Sequence, residues 1–163
     1  RIVHLGAEKV AFSAAAINNP TLLKEVGEVI GVQSVVVVLD YKKKGLFGKL
    51  EIFTHNGKKA TGLGLFEFVK EIEKIGVGEV VLNSIERDGR MTGYDIATVE
   101  KVREIFHGPI TVLGGAGSME DIKELTDKFK IIGAAAGSLF VFKGKYKAVL
   151  INYPSFTEKK IFL

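Results

Sequence analysis

Two hydrophobic rhythms alternate along the chain. Unbroken apolar runs recur, and between them apolar positions fall at helical spacing. Ser34 to Asp40 (SVVVVLD) carries the unbroken apolar run Val35 to Leu39, and Glu79 to Ser84 (EVVLNS) carries Val80 to Leu82. Strands apolar on both faces belong to parallel sheets covered by helices. Shorter runs at Lys9 to Ser13, Pro109 to Leu113 and Ile131 to Ala136 predict three further core strands. Helices are expected from about Thr21 to Ile30, with Pro20 near the first position, from Gly62 to Ile75 and from Asp95 to Phe106. In the second of these Leu65, Phe68, Val69, Ile72 and Ile75 share one face, and Gly76 is placed to end it. Ser118 with Asp121 three residues on is a helix-start signal, followed by Ile122, Leu125 and Phe129 as the buried stripe. One stretch departs from the alternation. Lys49 to Thr54 and Lys58 to Thr61 flank His55-Asn56-Gly57 and read as a hairpin closed by an Asn-Gly turn.

The order strand, helix, strand, helix predicts an α/β fold. Gly6-Ala7-Glu8-Lys9-Val10 is echoed by Gly76-Val77-Gly78-Glu79-Val80, which suggests a repeated βα unit. Five core strands are too few to close a barrel, which needs eight and typically ~250 residues. The expectation is therefore one domain, 1–163, forming strands four to eight of a (βα)8 TIM-type barrel. The hairpin would be inserted after the fifth strand. Arg1 to His4 read as the end of a helix, which points to further chain upstream.

Composition narrows the classes. At 163 residues, 47% hydrophobic and 26% charged, the chain is long and apolar enough for a real core. It has no cysteine, so disulfides and thiolate metal sites are excluded and a cytoplasmic location is expected. No apolar run reaches the ~18 residues of a membrane span. A net charge of +4 is too mild to point to nucleic acid, and the run Lys42-Lys43-Lys44 reads as a solvated loop. His4, His55 and His107 share no ligand spacing, so no metal is expected.

Chemistry concentrates where strands end, the face on which parallel α/β folds bind ligands. Asp40 closes an otherwise apolar strand: it is either a proton-transferring carboxylate at the mouth of a site or the cap of a local turn. Asp88 and Gly89 follow the Glu79 strand in the turn Glu86-Arg87-Asp88-Gly89, where glycine lets the backbone approach an anion. Gly114-Gly115-Ala116-Gly117-Ser118 and Gly137-Ser138 follow the last two strands, and backbone N–H groups in such turns cradle phosphate. Close packing of helix on strand asks for glycine there too. Lys9 and Glu79 open their strands at the opposite end. They either pair across the base or reach outward to water.

These residues resemble a known family. GAEKVAFSAAAINNP, VVVVLDYKKK, THNGKKATG, EVVLNSIERDGRMTGYD, ITVLGGAGSMED and AAAGSLFVF are similar, in order, to the cyclase (HisF-type) subunit of imidazole glycerol phosphate synthase. The resemblance implies a barrel that uses ammonia from a glutaminase partner to cleave and cyclise a bis-phosphorylated ribulosyl intermediate, with no cofactor. It implies that Asp40 is catalytic. It places Ser13 at one phosphate site, and Asp88, Gly89, Gly114, Gly115, Gly137 and Ser138 at ligand and phosphate contacts. Lys9 and Glu79 would gate ammonia at the base. Three positions depart from the family pattern: Ser13-Ala14 replaces an Asn-Ser/Thr pair, Asn83 replaces Thr, and Leu113 replaces a small polar residue. The family's other catalytic aspartate lies on a first strand that these residues lack, so alone they are expected to be inactive. The tail GKYKAVLINYPS is similar to a paralogous group linked to amidination of a surface-polysaccharide sugar. A non-catalytic scaffold that binds phosphate is the third reading.

Overall fold

The computed structural model describes residues 6–45, 48–144 and 146–160. The reading of Arg1 to His4 as a helix end lies outside them. Five parallel strands form the body of one sheet: β1 (Val10–Phe12), β2 (Val35–Lys44), β5 (Glu79–Ser84), β6 (Ile110–Leu113) and β7 (Gly133–Ala134). They lie side by side in chain order, each parallel to the next. That is the arrangement of consecutive strands in a TIM-type barrel, and the α/β sheet is consistent with a fragment of one. The hairpin is β3 (Lys49–Thr54) and β4 (Lys59–Gly64), antiparallel to each other, with β3 also antiparallel to the end of β2. Its turn has Asn56 at φ 56° and Gly57 at φ 75°, and Lys58 N–H donates to the His55 carbonyl. Two successive positive φ values are what Asn-Gly supplies in a tight hairpin turn.

Helices α1 (Ala14–Asn18), α2 (Thr21–Ile30), α3 (Leu65–Ile75), α4 (Ile96–Arg103) and α5 (Met119–Phe129) connect the strands. Leu65, Phe68, Val69 and Ile72 of α3 are buried at the spacing the sequence suggested. Each such side chain contributes about 1.5–3 kcal/mol by leaving water. On the helix side of β2, Val35, Val37, Leu39 and Tyr41 are almost wholly buried. The opposite face carries Val38, Asp40, Val81, Asn83, Thr111 and Leu113, all only half-buried. One face is thus a finished core and the other stays partly open.

Several boundaries differ from expectation. Gly62 to Gly64 belong to β4, not to α3, because pairing with Glu51 extends the strand. α4 stops at Arg103, short of Phe106. β7 keeps two residues of the expected six, and Ile131 is 87% exposed. The basic run is strand rather than loop: the ladder with β3 carries β2 past Asp40 to Lys44. Lys42 lies over the Phe53 ring at 4.3 Å, and Lys44 pairs with Glu51 at 3.0 Å. After β7 come α6 (Ser138–Val141), the short antiparallel pair β8 (Phe142–Lys143) and β9 (Ala148–Val149), and α7 (Phe156–Lys159).

Candidate functional site

Register places the chemistry. Asp40 is level with Asn83, and Asn83 with Leu113, so these three form a row across β2, β5 and β6 near the C-terminal rim. The parallel ladder of β2 with β5 ends one residue later, at Tyr41 and Ser84. Asp40 therefore stands at the mouth of the parallel sheet even though its own strand runs on into the hairpin. The Asn83 amide Nδ2 donates to Asp40 Oδ1 at 2.8 Å.

Just beyond the row lies a small polar cleft between the turns that follow β5, β6 and β7. It is lined by Asp88, Gly89, Leu113, Gly114, Gly115, Gly137 and Ser138. Among the described residues, the N–H groups of Gly115, Ala116, Gly137 and Ser138 have no protein acceptor. Gly115 and Ala116 are buried and Gly137 is exposed; unpaired N–H groups that converge on one cleft suit an anion. Gly115 has φ +114°, and a Cβ there would lie 2.1 Å from the Gly93 carbonyl oxygen. Gly93 N–H in turn donates to the Gly115 carbonyl at 2.8 Å. The Arg87 guanidinium donates to the Thr92 and Gly93 carbonyls and braces this contact. Tyr94 OH donates to the Ala135 carbonyl at 2.9 Å and ties the same loop to β7. Burial, then the nearby Asp121 charge, pushes the Tyr94 phenol up to about 12.

The helix start after β6 is already used. Asp121 Oδ2 accepts from Gly117 N–H at 2.8 Å and Ser118 N–H at 3.0 Å, and Ser118 Oγ accepts from Asp121 N–H. This reciprocal cap places a carboxylate at the N-terminus of α5. Among the described residues, the turn's Gly117 and Ser118 N–H groups are taken, and those of Gly114, Gly115 and Ala116 have no protein acceptor.

Ser13 stands apart. It follows β1, which β2 and β5 separate from β6, and precedes α1 without capping it. Lys9 and Glu79 lie at the other end of the sheet. They pair at 2.6 Å, and Thr111 Oγ1 donates to the second Glu79 oxygen at 2.6 Å. Burial pushes the Glu79 carboxyl up, but hydrogen bonds from Lys9 and Thr111 and the Lys9 charge outweigh it, and the net shift is downward. On the helix side, Tyr41 OH and Thr98 Oγ1 both donate to Asp95 Oδ2, at 3.2 and 2.7 Å. A cavity of about 410 Å³ opens there, between Lys43, Lys49, Phe66, Asp95 and Lys101, away from the Asp40 row. Among the described residues, no group of three or more His, Asp and Glu is placed to hold a metal ion. No described helix is long and apolar enough to cross a membrane.

The family model described as "Histidine biosynthesis protein" matches residues 1–147. The chain belongs to that family. This member of the histidine biosynthesis family is 52% identical over 160 residues to a Vibrio vulnificus protein provisionally named imidazole glycerol phosphate synthase subunit hisF3. The match takes in 98% of this chain and 62% of that protein. A Leptospira borgpetersenii protein, provisionally named subunit HisF of the same synthase, is 51% identical across 98% of this chain and 63% of its own length. The Lactococcus lactis imidazole glycerol phosphate synthase subunit HisF is 39% identical over 140 residues, 86% of this chain and 54% of that protein. The family member described here thus spans under two thirds of the length of these relatives.

Asn83 and Thr111 gained little weight from sequence reasoning. Each is a polar residue at an inward position of an apolar strand, one strand over from a charged side chain. That signal becomes readable only once the register is known.

Proposed function

We propose that these residues are the C-terminal five βα units, strands four to eight, of the (βα)8 cyclase subunit of imidazole glycerol phosphate synthase. In this reading 1–163 is part of a single barrel domain. Ammonia from a glutaminase subunit, the HisH-type partner, is used to cleave and cyclise a bis-phosphorylated ribulosyl intermediate in histidine biosynthesis. Asp40 transfers protons in ring closure. Gly115, Gly137 and Ser138 hold one phosphate through their backbone N–H groups, with Gly89, Gly114 and Asp88 beside them, and Ser13 faces the other phosphate across the rim. Lys9 and Glu79 gate the entry of ammonia at the base.

The observation that carries this reading is the convergence at one rim. Asp40 reaches Asn83, Asn83 Oδ1 lies against Gly114, and Gly114 leads into the turn with free N–H groups. A carboxylate beside an amide cradle is what proton transfer on a phosphorylated substrate needs. The test is turnover of the native protein with an ammonium salt and the bis-phosphorylated ligand, comparing wild type with Asp40→Ala and Gly137→Asp. Loss of turnover in the first with retained calorimetric binding, and loss of binding in the second, is the expected pattern. Full turnover in Asp40→Ala ends the reading. The 163 residues alone are expected to give no turnover, since they carry one of the two carboxylates the resemblance implies.

A second reading draws support from the tail. Three provisionally named relatives align over 160 residues and a fourth over 154, whereas the Lactococcus, Thermococcus and Dehalococcoides HisF subunits align over 140, 146 and 145. The longer alignments are what a tail shared with the provisional group would give. In that case the barrel conducts ammonia to amidinate a sugar and does not support histidine synthesis. Growth of a histidine auxotroph carrying the native gene separates the two: rescue favours the cyclase, no rescue the amidination route.

A further inference from the structure

The Asp40 carboxylate has two oxygens, and they are not equivalent. Oδ1 is engaged by the Asn83 amide at 2.8 Å. Oδ2 has no partner among the described residues, and it is not among their enclosed unpaired atoms, so it opens to solvent. The cost of this arrangement falls on Asn83. Its own carbonyl oxygen, Oδ1, is the one enclosed side-chain polar atom without a partner among the described residues. It points toward Gly114, where a Cβ would lie 3.1 Å from it. Turning the amide over would bring that oxygen against the carboxylate and lose the Nδ2 bond. An enclosed acceptor is costly to leave unpaired, so its persistence marks a site where something else holds the amide in place.

We propose that Asn83 is the positioning residue for Asp40, and that Asp40 Oδ2 is the atom that accepts the proton from the substrate. Asn83 fixes the carboxylate as an acceptor, holds one oxygen out of the reaction and turns the other toward the rim. Leu113, the third member of the row, has no donor to compete for Oδ2. This deepens the reading of Asp40 as the proton-transferring group and rests on it.

Two independent measurements test it. In the native protein, Asn83→Leu keeps the volume but removes both amide functions. We expect kcat to fall on the order of a hundredfold with KM within about threefold, because misplacing a reacting group costs rate rather than ground-state binding. Asn83→Ser is the second variant, with the same expected split, should the leucine not fold. In ¹⁵N-labelled protein the Asn83 side-chain amide resonances are expected to move in Asp40→Ala. Unmoved resonances overturn the pairing whatever the turnover shows. Unchanged kcat in both Asn83 variants, with Asp40→Ala inactive, overturns the positioning role and leaves the role of Asp40 standing. Full activity in Asp40→Ala removes the functional reading itself.

Discussion

Replacing Gly115 by alanine separates stability from ligand binding when set beside the same change at Gly137. The Gly115 φ of +114° lies in a region that L side chains rarely adopt, and the added Cβ would sit 2.1 Å from the Gly93 oxygen, 2.9 Å from its carbonyl carbon and 3.2 Å from Arg87 Cβ. The nearest obstacles are backbone, so no rotamer change relieves them. The two loops must move apart and loosen the Gly93 N–H to Gly115 carbonyl bond, now 2.8 Å. The φ penalty is about 1–2 kcal/mol, the bond about 1 kcal/mol, and the backbone shift about 1–3 kcal/mol. A loss of roughly 3–6 kcal/mol, or about 6–24 °C in Tm for a chain of this size, is expected in thermal and urea unfolding. At Gly137 φ is −110° and nothing lies within 4 Å of a Cβ, which would stand in the cleft instead. Gly137→Ala should unfold within about 0.5 kcal/mol of wild type while weakening binding of a phosphorylated ligand in calorimetry. A Gly115→Ala protein that melts within about 2 °C of wild type refutes the steric reasoning.

Other changes read different parts of the structure. Asp121→Ala removes the acceptor of the Gly117 and Ser118 N–H groups and should cost about 1–2 kcal/mol in urea unfolding, with α5 fraying first in hydrogen exchange. Lys9→Met leaves Glu79 with Thr111 alone. Lys9 is half exposed, so the loss should stay within about 1 kcal/mol at neutral pH. The depressed Glu79 carboxyl adds stability above its unfolded pKa that is lost as pH falls through the folded value. The acid limb of the wild-type stability curve should therefore be steeper than that of Lys9→Met. Tyr94 shows the opposite sign. Its phenol, raised to about 12, stays protonated in the folded chain after the unfolded one ionises near 10, so its contribution is whole below about pH 10 and falls away toward pH 12. Tyr94→Phe should flatten that part of the alkaline limb, and an unchanged slope tells against the burial argument.

Much of this fold was legible because its signals are local. The apolar runs of β2 and β5, the period of α3, the Asn-Gly turn and the Ser118 with Asp121 cap each depend on a few adjacent residues. Boundaries failed where a partner strand decided them. β2 continues through three lysines because β3 pairs with it, and β4 takes Gly62 to Gly64 from the expected helix. β7 is shorter than its apolar run because its ladder with β6 pairs only Gly133 and Ala134, and Ile131 turns outward. The candidate residues could be named in advance, since Asp40 ends an apolar run and Asp88 and the glycines lie in turns that follow strands. Which of them meet could not, because that depends on register. The capture of Gly117 and Ser118 by Asp121, and of Asp40 Oδ1 by Asn83, are contacts that composition and spacing leave open.

The same register makes the proposed ammonia route physically specific. Glu79 and Asn83 lie on one face of β5, four residues apart, so base and rim are separated by about 13 Å of strand. Val81 stands between them on that face, with Val36 and Val38 on the same face of β2. Ammonia that passed the Lys9 and Glu79 pair would therefore run along valine side chains before it met the Asp40 row. These valines offer no acid to protonate it, and the Thr111 hydroxyl level with Val81 already donates to Glu79, so the neutral nucleophile would arrive intact. Val81→Asp places a carboxylate midway along that path. It should slow glutamine-dependent turnover of the native complex more than turnover with added ammonium salt, because the latter can enter from the rim. Equal losses with both nitrogen sources would mean that ammonia does not follow the β5 face.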